Sequence, residues 1–147
     1  MLTPPAVIVK DRFANPVPGV FVDFRIASGG GTIVGNAATT NSAGIAAVTS
    51  WTMGTTVGAN TLTAVAQSGG ITGNPVTFSA TATAGAAARL TAVGSTSLTG
   101  TVAKALTPVP QVKVTDASGN AVAGAVVTFA PSAGSLIGPV GSKTTDA

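Results

Sequence analysis

The sequence predicts an all-β chain: one antiparallel β-sandwich unit followed by the opening part of a second copy, tandem in arrangement, with the second copy truncated. Three observations lead there. The stretch 7–24 is stated again over 112–129, so that Asp11 returns as Asp116, Asn15 as Asn120, Val17 as Val122, Gly19 as Gly124 and Phe24 as Phe129. The offset is a constant 105 residues from Asp11 to Asp116, the length of one small sandwich and far above the period of a solenoid. Apolar residues alternate with polar ones at a period of two, and Gly, Pro and Asn punctuate the runs where turns belong.

Taken in order, Val7 and Val9 alternate with Ile8 and Lys10, and Val20, Val22, Phe24 and Ile26 alternate with Phe21, Asp23 and Arg25. Both are half-buried strands. The polar connection between them carries turn chemistry: Asn15-Pro16 and Pro18-Gly19 in the first copy, Asp116-Ala-Ser-Gly-Asn in the second, with a positive φ expected at Gly119. Gly19 and Gly124 read as positions where the backbone requires glycine. Asp11 and Asp116 suit an Asx-type turn, the favoured reading; oxygen ligation of a metal is the competing one.

Residues 28–31, Ser-Gly-Gly-Gly, form a flexible connection to a short strand around 32–34, and 39–44 form another turn before a strand over 45–51. Trp51 is expected to plug the core from a strand end with its N–H bonded to a carbonyl; stacking on a sugar is the alternative. Gly54 and Gly58 bracket a connection, and alternation resumes over 60–66. Val76, Phe78, Ala80 and Ala82 alternate with Thr77, Ser79, Thr81 and Thr83, which closes the first unit. The expected interior is Val7, Val9, Val22, Phe24, Leu62, Ala64, Val76 and Phe78.

Residues 85–88 read as a linker, which sets the units at 1–87 and 88–147. The second unit starts with a strand at 89–93, continues through 98–102, and repeats the central motif. It reaches Thr144-Thr145-Asp146, which aligns with Thr39-Thr40-Asn41. The strands equivalent to residues 45–83 are absent from it, and the first unit lacks the strand equivalent to 89–93. Because 85–88 can span only about 14 Å, the tail is expected to begin a new unit, project away, or pair on an edge. Self-association through residues 89–103 follows as an expectation.

Composition narrows the functions. Charged residues make up 7% of the chain, against about 25% in ordinary domains. Cys, His and Tyr are absent, and all four acidic residues are aspartates. The common general bases, thiol nucleophiles, zinc sets and Ser-His-Asp triads cannot be assembled, so no enzymatic activity is expected. Four scattered aspartates make a poor six-to-eight-oxygen calcium cage, and no metal or organic cofactor is expected. The net charge of +3 and pI near 10 come from seven basic residues dispersed along the chain, not from a patch that would hold nucleic acid. No apolar run reaches the ~18 residues of a membrane helix, and the N-terminus lacks the pattern of a signal peptide. With no cysteine, the core carries stability without disulfides.

With these residues placed, the chain resembles the bacterial immunoglobulin-like group 1 (Big-1) domains of intimin- and invasin-type surface adhesins. The matching features are Val-x-Val-x-Asp, Asn-x-Val-x-Gly, the Val-x-Phe strand and the Gly-Gly-Gly after it. They continue with Thr-Thr-x-x-x-Gly-x-Ala and with Trp51-Thr-Met-Gly54-Thr-Thr-x-Gly-x-Asn-Thr-Leu-Thr-Ala. The resemblance implies an immunoglobulin-like sandwich of seven to nine strands, serving as a non-catalytic extracellular spacer on a bacterial surface with neighbouring immunoglobulin-like repeats as its partners. Two other classes stay open: a fibre subunit associating by strand exchange, and a carbohydrate- or protein-binding module, for which Phe13, replaced by Ser118 in the second copy, is the best unit-specific contact.

Overall fold

The computed structural model describes residues 3–130 and 142–146. The chain divides into two compact units, Met1–Thr83 and Ala84–Ala147. All regular structure among the described residues is β, and every strand pairing is antiparallel.

The first unit holds eight strands: β1 (Ala6–Ile8), β2 (Phe21–Ser28), β3 (Gly31–Val34), β4 (Ala37–Thr39), β5 (Ile45–Ala47), β6 (Ser50–Met53), β7 (Gly58–Ala66) and β8 (Val76–Ala82). A four-stranded sheet runs in the order β4-β2-β7-β8, while β1 pairs with β5 and β3 with β6. Alternation decides which side chains meet. In β2, Val22 and Phe24 point inward and are 0% and 1% exposed, whereas Asp23 and Arg25 share the other face and pair with each other at 2.6 Å. In β7, Leu62 and Ala64 turn in and Thr61 and Thr63 turn out. Ala46 and Val48 close over them, with Val7, Ile33, Trp51 and Phe78 packed around that cluster. One β-sandwich-like core results.

Two expectations need correction. Val76 was placed inside and is 40% exposed; β8 ends the sheet, so Val76 has only β7 beside it, opposite Ala64. The single strand expected over 45–51 is two. β5 pairs with β1, and then the Val48 N–H donates to Pro5 and the Thr49 N–H to Val34, so that β6 continues along β3. The chain changes partner between the two. β4 was not anticipated; it precedes the turn expected over 39–44 and is carried by pairing to β2 rather than by any strand pattern of its own. Residues 98–102 form no strand.

The second unit contains β9 (Arg89–Val93), β10 (Gln111–Thr115), β11 (Val126–Thr128) and β12 (Ser142–Thr144), with β9 paired to β10 and β11 to β12. The residues expected to be a linker belong to it. The Gly85 N–H donates to the Asp116 carboxylate and the Ala88 N–H to the Thr115 carbonyl. The tail therefore begins a new unit, and β9, expected to seek another chain, is occupied on one edge by β10.

Core and edge positions should separate in a urea melt followed by Trp51 fluorescence. Phe24→Ala should cost the first unit about 3 to 5 kcal/mol, and Val76→Ala less than about 1 kcal/mol. Equal losses would mean that the inward face has been misassigned.

Candidate functional site

The residues singled out by the sequence gather at the chain reversals. In residues 11–15, Asp11 Oδ1 accepts the N–H groups of Phe13 (2.8 Å) and Asn15 (2.9 Å), and Oδ2 accepts the Asn15 side-chain amide at 3.1 Å. The backbone closes around it: the Asp11 N–H donates to the Asn15 carbonyl and the Ala14 N–H to the Asp11 carbonyl. In residues 116–120 the same bonds recur. Asp116 Oδ1 accepts from Ser118 and Asn120, each at 2.9 Å, and Oδ2 from the Asn120 amide and from the Gly85 N–H, again each at 2.9 Å.

Asp116 is thus enclosed by four donors, and its pKa falls from an ordinary carboxylate value of 3.8 to about 2. The largest cause is the Asn120 side-chain amide, followed by the Gly85 N–H; burial opposes both. Asp11 is lowered in the same direction, first by the Asn15 amide. Bonds to the charged form do this, because protonation would remove an acceptor from donors already aimed at it.

A third loop of this kind lies at 41–45, in the turn expected over 39–44, although its likeness to the Asp loops was not read from the sequence. Asn41 Oδ1 accepts from Ala43 and Ile45, the Asn41 N–H donates to the Ile45 carbonyl, and the Gly44 N–H donates to the Asn41 carbonyl. All three loops take a positive φ at the fourth residue: 67° at Ala14, 72° at Gly44 and 90° at Gly119. The signal was present as Asn41-x-x-Gly44 beside Asp116-x-x-Gly119. Ala14 obscured it in the first loop, where an alanine occupies a glycine conformation.

Each unit adds a threonine clasp, buried at Thr40 and half-buried at Thr145. The Thr40 hydroxyl donates to the Val17 carbonyl at 2.8 Å and accepts the Val20 N–H at 2.9 Å, while its backbone pairs with Gly19 and Val20. The Thr145 hydroxyl donates to Val122 at 2.6 Å and accepts from Ala125 at 2.9 Å, with its backbone bonded to Gly124 and Ala125. Gly19 and Gly124 sit inside these clasps with φ of 79° and 77°. Every partner is displaced by the same 105 residues.

The remaining singled-out residues are dispersed. Gly54 lies against the Gly29 carbonyl, where any Cβ would collide. Trp51 packs on the core, but its Nε1 is buried with no partner, contrary to the expected carbonyl bond. Its backbone is committed to β3, opposite Ile33, and no acceptor among the described residues faces the indole. Asn60 Oδ1 is left in the same condition. Phe24 is in the core and Phe129 is half-buried. Phe13 is 69% exposed, with the Arg12 guanidinium 4.5 Å from its ring. Among the described residues no three metal-ligating side chains converge.

Comparisons with family models, with curated proteins and with solved structures each return no match.

Two predictions follow from the loops. Ala14→Gly should stabilise the first unit by about 1 kcal/mol by relieving the left-handed backbone, whereas Gly44→Ala should destabilise it, since a Cβ there meets the Val9 carbonyl at 2.6 Å. A paired chemical-denaturation series reads both signs. For pH, the folded pKa of Asp116 lies below the unfolded value. Its contribution is therefore complete above about pH 4 and is lost as the pH falls through about 2. A carboxyl-carbon NMR titration should find Asp116 still ionised at pH 3; a midpoint near 4 would contradict the enclosure.

Proposed function

We propose that this chain is a non-catalytic structural spacer: tandem immunoglobulin-like units of the Big-1 kind, belonging to an extracellular, adhesin-like protein of a bacterial surface. The observation that carries this reading is the 105-residue recurrence of whole hydrogen-bond sets. The Asp11 and Asp116 loops and the Thr40 and Thr145 clasps match donor for donor. The bond from Val17 N–H to the Val9 carbonyl returns as the bond from Val122 to Val114. A sequence that preserves turn chemistry at a fixed interval while varying its surface is suited to building length from serial units.

The chemistry of the conserved positions agrees with a structural role. Asp11 and Asp116 spend their oxygens on their own loops, and Asp23 pairs with Arg25. A carboxylate saturated by backbone donors is a poor base, because taking a proton would break several bonds at once. Neighbouring units of the same kind are the partners this role requires.

The role is tested by placing one, two or three copies of the chain between an outer-membrane anchor and a reporter binding domain. Reach, read by capture of beads at increasing standoff, should grow with copy number. Cells displaying the chain without the reporter should not adhere to glycan, matrix-protein or host-cell surfaces. Adhesion by the chain alone would replace the spacer reading with a binding one, for which exposed Phe13 would be the first residue to mutate.

A further inference from the structure

Two polar side-chain atoms in the interior of the first unit have no hydrogen-bond partner among the described residues: Trp51 Nε1, which can only donate, and Asn60 Oδ1, which can only accept. The large majority of buried side-chain polar atoms are bonded, so a donor and an acceptor left over in one core call for a physical reason. Both face the same interior. Asn60 is 1% exposed and turns inward on β7 beside Leu62, and Trp51 packs from β6 onto the cluster that contains Leu62.

The backbone brings their surroundings together as well. A Cβ at Gly29 would collide with the Asn60 carboxamide, and the Gly29 carbonyl lies against Gly54, the residue that directly follows β6. Asn60 is thus held over the connection from β2 to β3, at the end of the strand that carries Trp51. Its Nδ2 donates to the Gly58 carbonyl at 3.2 Å. A flipped amide would set its oxygen against that carbonyl, so the free end is the acceptor.

We propose that Trp51 Nε1 and Asn60 Oδ1 form one internal hydration site, which holds a single water molecule between the β3–β6 pair and the four-stranded sheet. The water accepts the indole N–H and donates to the carboxamide oxygen. The two atoms do not bond each other, and a water at about 2.8 Å from each spans a gap that a direct bond cannot. An apolar occupant would satisfy neither atom. Two protein partners fall within the roughly two to four of an ordinary buried water. Because β6 and β7 belong to separate sheets, the water ties together strands that no ladder joins.

The inference is independent of the spacer role and of the second unit. It is tested on isotope-labelled full-length chain by NOE and ROE spectra recorded to the water resonance. Trp51 Hε1 and the Asn60 side-chain amide protons should each show a water cross-peak, with the opposite NOE and ROE signs of a long-resident molecule. N60L, which removes the acceptor, should reduce the Trp51 cross-peak at least tenfold, with an unchanged Val20 N–H signal at the Thr40 clasp reporting an intact unit. If N60L does not fold, the spectra of the unaltered chain decide, since both cross-peaks are required there. Absence of either peak, equal NOE and ROE signs, a Trp51 peak that survives N60L, or a through-hydrogen-bond coupling from Trp51 Nε1 to the Asn60 carboxamide carbon would each overturn the shared site.

Discussion

The phase of β2 is settled before β2 begins, and the first unit depends on it. The Val9 carbonyl accepts the Val17 N–H, the Val17 carbonyl accepts the Thr40 hydroxyl, and that hydroxyl accepts the Val20 N–H. This relay fixes where the strand starts, and a period of two does the rest: Val22 and Phe24 must face in. A slip by one residue would expose both and drive Asp23 and Arg25 into the core. Burying that pair would cost several kcal/mol per charge before their attraction is counted. Thr40, at 4% exposure, is thus a polar residue whose burial specifies an apolar arrangement.

A chain with so few charged and large polar side chains has to satisfy its turning backbone from a small stock. It does so by concentrating acceptors. One Asp or Asn oxygen takes two N–H groups in each of the three loops, and in two of them an Asn amide binds the second oxygen as well. The same economy bears on function. Asp11 and Asp116 have their carboxylate oxygens bound within their own loops, and the depressed pKa of Asp116 is the electrostatic expression of that commitment.

What was legible in the sequence was local. Alternation identified the inward faces of β2 and β7, and the recurrence of Asp, Asn and Gly marked the reversals. What was not legible depends on neighbours. Nothing in Ala46-Ala47-Val48-Thr49 says that the strand will leave β1 for β3; only pairing separates the two halves. Val76 carries the right phase for the core, but its strand ends the sheet. Trp51 was rightly associated with the core, yet whether its N–H finds an acceptor depends on which polar groups the fold brings against it, and among the described residues the buried Nε1 has none. The turn at Asn41 was expected, but its likeness to the Asp loops was not: amide and carboxylate oxygens perform the same task there, and identity was weighed more heavily than geometry.

The two units also differ in what flanks their corresponding strands. Among the described residues β1 pairs only with β5, and β10, its counterpart under the proposed equivalence, only with β9. These neighbours lie on opposite edges. The Val9 N–H points to Gly44, on the β5 side, whereas the carbonyl of Thr115, which corresponds to the next residue, Lys10, points to Ala88, on the β9 side; successive residues of a strand present their polar groups in opposite directions. Under the proposed equivalence, a full unit therefore places this strand between a β9-like and a β5-like neighbour, and each unit displays one half of the arrangement. Ile8 remains 52% exposed although Val9 beside it is buried, because successive side chains of a strand point to opposite faces and Val9 takes the face toward the core.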